Sequence, residues 1–281
     1  MIQQLTSTQE HTPEFVPYEG KVVVSLEDRL SSVTQQDIEA LAAEHQNRIG
    51  LEIPGLHPKF ATEGIYNLLE LNQDKAKKET YLKIGLTTGT MAKALQNVYK
   101  GQAPDQNPIA VQGMVITSDN HLVMGARSKP DFRANQPDEP HDYKLLLNPA
   151  GYAKFSPHDP KPLETAFFAE LKEEFGLTEG DILRMRMIGH NRDFGFTEGT
   201  RITFLTHTKL SFAELADRWK KAEHAWEYID LARLENSPDA IKRFLGTSDF
   251  SHYSKHAKGI VEPSVRPVLT HYAGNFQAYQ R

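Results

Sequence analysis

The segment PAGYAKFSPHDPKPLETAFFAELKEEFGL (149–177) decides the fold. Its second half places apolar residues at the spacing of an α-helix, about 100° per residue, so that they fill one arc of the helical wheel. That arc contains Leu163, Phe167, Phe168, Leu171 and Phe175. Glu170 and Glu174 adjoin or enter the apolar arc, whereas Glu173 lies further from it. The spacing predicts a helix at 163–176 whose acidic side chains partly face the core.

The three glutamates are also close to one another on this helix. Residues at i, i+3 and i+4 are neighbours, so the carboxylates repel, and an unpaired carboxylate against apolar surface is unfavourable. A divalent cation relieves both effects. The pattern makes Glu170, Glu173 and Glu174 candidate ligands of a metal ion. For such a run of acids taken alone, an acidic amphipathic helix with a solvated polar face is the favoured alternative.

Overall composition limits the ligands and partners. The 37 acidic and 32 basic residues leave a net charge of −5, which argues against nucleic acid or an anionic membrane as the main partner. The absence of cysteine excludes thiolate metal sites and a cysteine nucleophile. Oxygen ligands favour Mg²⁺, with Mn²⁺ as the alternative, over zinc. We find no apolar run of membrane-spanning length and no signal peptide, and expect a cytoplasmic protein.

Strand and helix patterns flank the decisive segment on both sides. The Pro/Gly-containing stretch KGQAPDQNP (100–108) separates two periodic regions. The first region predicts strands at 21–29, 65–71 and 79–86 and helices at 33–48 and 90–99. The second predicts strands at 110–117, 121–127, 143–148, 184–191, 201–208 and 226–231, a helix at 211–221 and C-terminal helical pieces. Strands mixed with single helices favour an α+β fold or an α/β sandwich.

The decisive segment resembles the Nudix box, G-x5-E-x7-R-E-U-x-E-E-x-G-U, in which U is aliphatic. The residues that match its second half are Glu170, Leu171, Glu173, Glu174, Gly176 and Leu177. Gly151 occupies the position of the opening glycine, although four extra residues lie between it and the helix. Ala169 and Lys161 replace the Arg and the first Glu of the pattern. The resemblance is to an atypical member that keeps the metal-binding half of the box. It implies that Glu170, Glu173 and Glu174 bind a metal ion and carry catalysis.

The resemblance extends to most of the chain and implies an architecture. The flanking strands stand in the Nudix order, and KETYLKIGLTTGT (78–90) is similar to the accessory domain of Nudix hydrolases that cleave UDP-glucose and UDP-galactose. It implies a Nudix α/β/α sandwich with a mixed sheet over 106–281. A smaller α+β accessory domain would occupy residues 1–105.

Further candidate residues lie outside the helix. Arg192 could bind a diphosphate, although an ion pair with Asp193 explains an arginine at this position almost as well. Substrate contacts are also proposed for Gly151, for His158 and Asp159 in the extra loop, and for Thr87. Glu223 could supply a further metal ligand, with Glu227 as its competitor. We interpret His252, His256 and Lys258 as surface residues.

The functional hypothesis combines these elements. It is a Mg²⁺-dependent pyrophosphohydrolase that cleaves a nucleoside diphosphate-linked small molecule. The resemblance implies UDP-glucose or UDP-galactose, split to UMP and sugar 1-phosphate. ADP-ribose or another nucleotide sugar is the alternative substrate. A non-catalytic nucleotide-binding module that keeps the fold is the alternative function, because the box is only half matched.

Overall fold

The structure is a computed structural model that describes residues 14–18, 20–53, 56–95, 106–127, 144–193, 199–247, 250, 252–254 and 260–280. Within these ranges the strands form two sheets, one of three strands and one of nine. Among the same residues, no helix combines the length and the apolar character needed to cross a bilayer.

The smaller sheet is built from the N-terminal half of the chain. Its strand order is β2 (Lys21–Leu26), β4 (Glu79–Thr88), β3 (Gly64–Asp74). Strands β3 and β4 form the expected antiparallel hairpin, and β2 runs parallel to β4. Helix α1 (Gln35–Ile49) begins after Thr34, which forms the predicted capping box with Asp37. The short helices α2 (Pro58–Ala61) and α3 (Gly89–Ala94) complete this half; residues 96–99 of the second predicted helix lie outside the described ranges.

The larger sheet is mixed, as predicted. Its strands follow the order β1 (Phe15–Pro17), β9 (Ile182–Asp193), β10 (Gly199–Thr208), β5 (Ile109–Ile116), β6 (His121–Arg127), β7 (Lys144–Leu147), β12 (Ile260–Val261). Two further strands, β8 (Ala150–Tyr152) and β11 (Asp230–Glu235), pair with β5 and β6. The β10–β5 and β12–β7 pairs are parallel, and the other pairs are antiparallel. Strand β5 pairs with β8 at its start and with β6 at its end, so β8 lies beside the centre of the sheet.

Helices cover both faces of the larger sheet, because apolar side chains alternate along its central strands. On β5, Val111 and Val115 face a core that includes Phe167 of α4 (Pro162–Phe175) and extends to α5 (Phe212–Trp219). Met114 faces the opposite core, with Leu269 of α7 (Val265–Gly274) and residues of α6 (Pro238–Gly246). The last helix, α8 (Phe276–Tyr279), packs at the edge of that second core. The predicted α/β/α sandwich is confirmed.

The two sheets share one core. Tyr66, Leu82 and Ile84 of the smaller sheet belong to the same buried cluster as Val111 and Phe167. The smaller sheet therefore packs on the α4 side of the larger one. The division of the chain into two domains near residue 105 remains a prediction.

Three details differ from the sequence-based expectations. The strand expected at 21–29 ends at Leu26, because residues Asp28–Ser32 form a 3₁₀ helix. Residues Phe15–Pro17 pair with β9, so this N-terminal segment belongs to the larger sheet rather than to the smaller half. The strand expected at 226–231 begins only at Asp230, because residues Ala225–Glu227 form a 3₁₀ turn in which the Glu227 amide donates to the His224 carbonyl. An alternating pattern alone does not distinguish such a turn from the start of a strand.

Candidate active site

The site is built on α4 and on the β8 strand that precedes it. Pro162 occupies the first turn of α4, where its fixed φ suits a helix and no amide donor is needed. Gly176 ends the helix in the left-handed conformation (φ 65°), which a glycine adopts without strain. The helix therefore holds Glu170 and Glu174 one turn apart, and the structure buries both.

Glu170 is only 9% exposed and lies against the backbone of Gly151 on β8. A Cβ atom at Gly151 would lie 2.2 Å from Glu170 Oε1, so only glycine leaves room for the carboxylate there. Burial, and to a lesser extent the neighbouring Glu173, raises the pKa of Glu170 from its ordinary value of 4.5 to about 7. Glu170 is thus a carboxylate held in an unfavourable environment.

Glu174 is buried more deeply, at 1% exposure. The Tyr228 hydroxyl donates to Glu174 Oε2 at 2.7 Å, and the Ala150 amide donates to Oε1 at 3.4 Å. Burial raises the pKa of Glu174 well above its ordinary value, and the charge of Glu170 raises it further, although both hydrogen bonds lower it. The charge of Glu170 therefore disfavours ionisation of Glu174, one helical turn away.

Glu173 lies at the edge of this pair and is half-buried. His224 Nδ1 lies 3.4 Å from the Glu173 carboxylate and 3.8 Å from that of Glu227. The His224 amide also donates to the Glu173 carbonyl at 2.8 Å, which fixes the turn 225–227 against α4. The turn places Glu227 close enough to raise the pKa of both Glu170 and Glu174.

This geometry distinguishes the two proposed sources of a fourth acid. Glu227 acts electrostatically on both buried carboxylates. Glu223 lies exposed in the preceding turn, and the described residues show no contact between its side chain and either carboxylate. Of the two acids, Glu227 is therefore the one that the fold places near the buried carboxylates.

The smaller sheet also reaches the site. Lys154 follows β8 and pairs with Ile65 of β3 in an isolated bridge. Its ammonium lies 3.9 Å from Glu63 and lowers the pKa of Glu170, whereas Glu63 raises it. Lys154 and Glu63 carry no recognisable motif in the sequence, and only the packing of the two sheets brings them here.

The other predicted substrate contacts are spread more widely. Thr87 is fully buried on β4, next to Ile65, and its hydroxyl has no hydrogen-bond partner within the described part of the chain. His158 is exposed, and Asp159 accepts from the Lys161 amide at 2.8 Å within the loop. The described residues show no contact of these three side chains with the acids of α4. Arg192 lies on β9 opposite Thr200, but its side chain, like those of Asp193, His256 and Lys258, lies outside the described part of the structure. His252 lies exposed in a turn.

The donor set suits a hard cation, because it consists of carboxylates and its two most buried members, Glu170 and Glu174, have no cationic side chain in contact among the described residues. Within the described ranges, no lysine, arginine or histidine nitrogen lies within 4.0 Å of Glu170 or Glu174. Glutamate oxygens are the ligands that Mg²⁺ and Mn²⁺ prefer. Among the residues described, no three such side chains lie close enough together to hold a metal ion in their present rotamers. Binding would therefore require carboxylate rotamers to converge.

Tyr228 is the contact of the site that sequence reasoning missed. It lies within the EHAWEYIDL segment, where an alternating pattern gave it no special role. Its hydroxyl reaches Glu174, 54 residues away, across the α4–turn interface. An aromatic hydroxyl two residues before a strand carries no local signal for such a contact.

Comparisons with known proteins give weak similarity. Neither a family model nor a curated protein sequence matches the chain. The solved structure of Tm1382, assigned provisionally as a Nudix hydrolase, aligns with 74% of this chain and 99% of its own at 9% identity and a TM-score of 0.39. The MutT protein from Methanosarcina mazei Go1 aligns with 62% of this chain and 94% of its own, at 19% identity and a TM-score of 0.29.

A third similar structure contains bound ligands. It is a bifunctional NMN adenylyltransferase/ADP ribose pyrophosphatase from Francisella tularensis, complexed with AMP and a Mn ion. It aligns with 67% of this chain and 50% of its own, at 14% identity and a TM-score of 0.33. Such values do not indicate an activity for this chain, and the functional argument rests on the geometry of its own site.

Proposed function

We propose that this protein is a divalent-metal-dependent pyrophosphohydrolase of the Nudix type. The observation that carries the proposal is the pair Glu170 and Glu174, buried one helical turn apart beside β8 with no cationic side chain in contact among the described residues. Two adjacent buried carboxylates destabilise a fold unless they share a proton or a metal ion. A cluster that is so unfavourable for folding is typical of a catalytic site.

Glu170, Glu173 and Glu174 would hold the metal ion, with Glu227 as a fourth acid. A bound divalent cation supplies charge neutralisation at diphosphate oxygens and lowers the pKa of a water molecule. The protein's own residues do the remaining work. Tyr228 orients the Glu174 carboxylate through its hydroxyl, and Gly151 gives the Glu170 carboxylate space beside β8. Lys154 places one positive charge near the acids, where it can offset negative charge of a bound diphosphate.

The substrate we propose is a nucleoside diphosphate linked to a sugar. The resemblance to the UDP-sugar-cleaving subgroup supports UDP-glucose or UDP-galactose, cleaved to UMP and sugar 1-phosphate. The proximity of Glu63 and Lys154 supports a cleft to which both sheets contribute, a common position for small-molecule sites. ADP-ribose remains the alternative, because no described residue distinguishes uracil from adenine.

The experiment is a substrate panel assayed with the wild type and two variants. UDP-glucose, UDP-galactose, ADP-ribose, ADP-glucose and diadenosine polyphosphates are incubated with Mg²⁺ or Mn²⁺, and phosphate release is measured after phosphatase coupling. Glu174→Gln should lower kcat by more than about a hundredfold. Losing a residue that merely supports a metal ligand lowers activity by up to about a hundredfold, and Glu174 is proposed to be a ligand itself. Glu164→Gln removes a charge from the first turn of the same helix and should leave kcat unchanged.

The outcomes separate the hypotheses. Wild-type kcat in Glu174→Gln at saturating Mg²⁺ would exclude the acids of α4 as the metal site. No turnover of any compound, together with tight nucleotide binding, would favour a non-catalytic module. A preference for an adenine compound of more than about tenfold in kcat/KM, or roughly 1.4 kcal/mol, would replace the uridine assignment and leave the metal chemistry intact.

A further inference from the structure

The turn that carries Glu227 also carries an unusually exposed aromatic side chain. Trp226 is 67% exposed, more than any other large apolar side chain among the described residues. Tryptophan is highly buried on average, and exposing an indole ring to water is unfavourable. Neither the packing of the core nor the proposed catalytic chemistry accounts for this position.

Contacts within the turn hold the indole beside the acids. The Trp226 and His224 rings are 6.0 Å apart between centroids and meet at 65°, edge to face. His224 in turn contacts the carboxylates of Glu173 and Glu227. Backbone hydrogen bonds from His224 to Glu173, and from Glu227 to His224, fix the turn on α4. The indole is therefore held at the rim of the carboxylate cluster.

The surroundings of Trp226 favour a small planar ligand over a macromolecule. Of the other large apolar residues that are exposed in the described ranges, only Ile229 lies within a few residues of it in the chain. Two such side chains form a far smaller patch than the ~800 Å² that each partner buries in a stable protein interface. A nucleobase, by contrast, needs only one aromatic face, and such stacking does not depend on which base is present.

We propose that Trp226 is the platform on which the base of the nucleotide substrate stacks. The nature of the ligand rests on the proposed function, since the acids beside the indole are those assigned to the diphosphate. Stacking on Trp226 contributes affinity for uridine and adenine nucleotides alike. Discrimination between the two bases must come from hydrogen-bonding groups elsewhere.

The first test uses tryptophan fluorescence with UMP and AMP, which contain no diphosphate bond, so that it does not depend on hydrolysis. Trp219 and Trp226 are the only two tryptophans of the chain. UMP, AMP and ribose 5-phosphate are titrated, with Mg²⁺ and again in EDTA, into the wild type, Trp226→Phe and Trp219→Phe. We expect UMP and AMP to quench the wild type and Trp219→Phe but not Trp226→Phe, and ribose 5-phosphate to quench none. If Trp219→Phe does not fold, the difference between wild type and Trp226→Phe gives the Trp226 signal.

The second test measures affinity by calorimetry under the same conditions. Trp226→Ala should weaken UMP and AMP binding by about tenfold, as expected for the loss of one base–aromatic stack. Trp226→Phe should retain most of the affinity, and ribose 5-phosphate should bind the wild type and Trp226→Ala equally. Leu183→Ala is the matched control, because Leu183 is 62% exposed on β9, away from the turn.

Several results would overturn the proposal. Unchanged UMP and AMP affinity in Trp226→Ala would exclude stacking, as would equal quenching of the wild type and Trp226→Phe. A wild-type dimer that dissociates in Trp226→Ala, with nucleotide affinity unchanged, would assign the indole to an interface between copies of the chain. If the wild type hydrolyses a nucleotide compound but Trp226→Ala binds UMP and AMP as tightly as the wild type, only the role of Trp226 is refuted. Nucleotide quenching without hydrolysis of any compound refutes only the proposed enzyme activity.

Discussion

The substitution Glu170→Gln should make the metal-free protein more stable above neutral pH. The pKa of Glu170 is raised from 4.5 to about 7 in the folded state, chiefly by burial. Below pH 4.5 the carboxyl is protonated in both the folded and unfolded states, so ionisation carries no penalty. As the pH rises through 7 the folded protein must ionise a buried group, and stability is lost. At 1.36 kcal/mol per pKa unit, this loss is about 3 kcal/mol.

Glutamine has nearly the same shape as glutamate and stays neutral, so it escapes this loss. In EDTA, we expect Glu170→Gln to exceed the wild type in free energy of unfolding by about 3 kcal/mol at pH 8. The difference should be below about 1 kcal/mol at pH 5. With Mg²⁺ at a thousand times its Kd the order should reverse, because that concentration stabilises the wild type by about 4.1 kcal/mol and the variant lacks a ligating oxygen.

Urea unfolding followed by circular dichroism at both pH values, with EDTA or Mg²⁺, measures these differences. Glu164→Gln, which removes a charge from the first turn of α4, should show no gain in stability at pH 8. The reasoning fails if Glu170→Gln is no more stable than the wild type at pH 8 in EDTA. It also fails if Mg²⁺ stabilises the variant and the wild type equally.

Three further substitutions test individual contacts. Gly151→Ala brings a Cβ to 2.2 Å from Glu170 Oε1, so it should displace the carboxylate and lower kcat by at least about tenfold. Steady-state kinetics at saturating Mg²⁺ measures this loss, and an unchanged kcat contradicts the role of Gly151. Tyr228→Phe removes the hydrogen bond that lowers the pKa of Glu174, so the acid limb of the kcat/KM profile should move to higher pH, and an unshifted limb contradicts the role of Tyr228. Thr34→Ala removes the capping box of α1 and should reduce the free energy of unfolding by about 1 kcal/mol, measured in urea, without changing kcat.

Local pattern predicted much of the fold, because helices and hairpins are formed by residues close in the chain. The capping box at Thr34, the hairpin of β3 and β4, and the helix α4 all lie at or near their predicted positions. The 3₁₀ turn at 225–227 was not predicted, because an alternating pattern next to a strand fits a turn as well as a strand. The pairing of β1 with β9 joins residues about 175 positions apart, and a three-residue strand carries no information about so distant a partner.

The sequence by itself determined that Glu170 and Glu174 share a face of α4 with its apolar residues, because the 3.6-residue period fixes side-chain directions along a helix. Only the tertiary structure decided what meets that face. It brings Gly151 against Glu170 and Tyr228 against Glu174, and it places Glu227 near both carboxylates. These contacts join separate elements through packing and hydrogen bonds between residues distant in the chain. No period within a single segment encodes them, so the raised pKa values that they help to set belong to the folded protein alone.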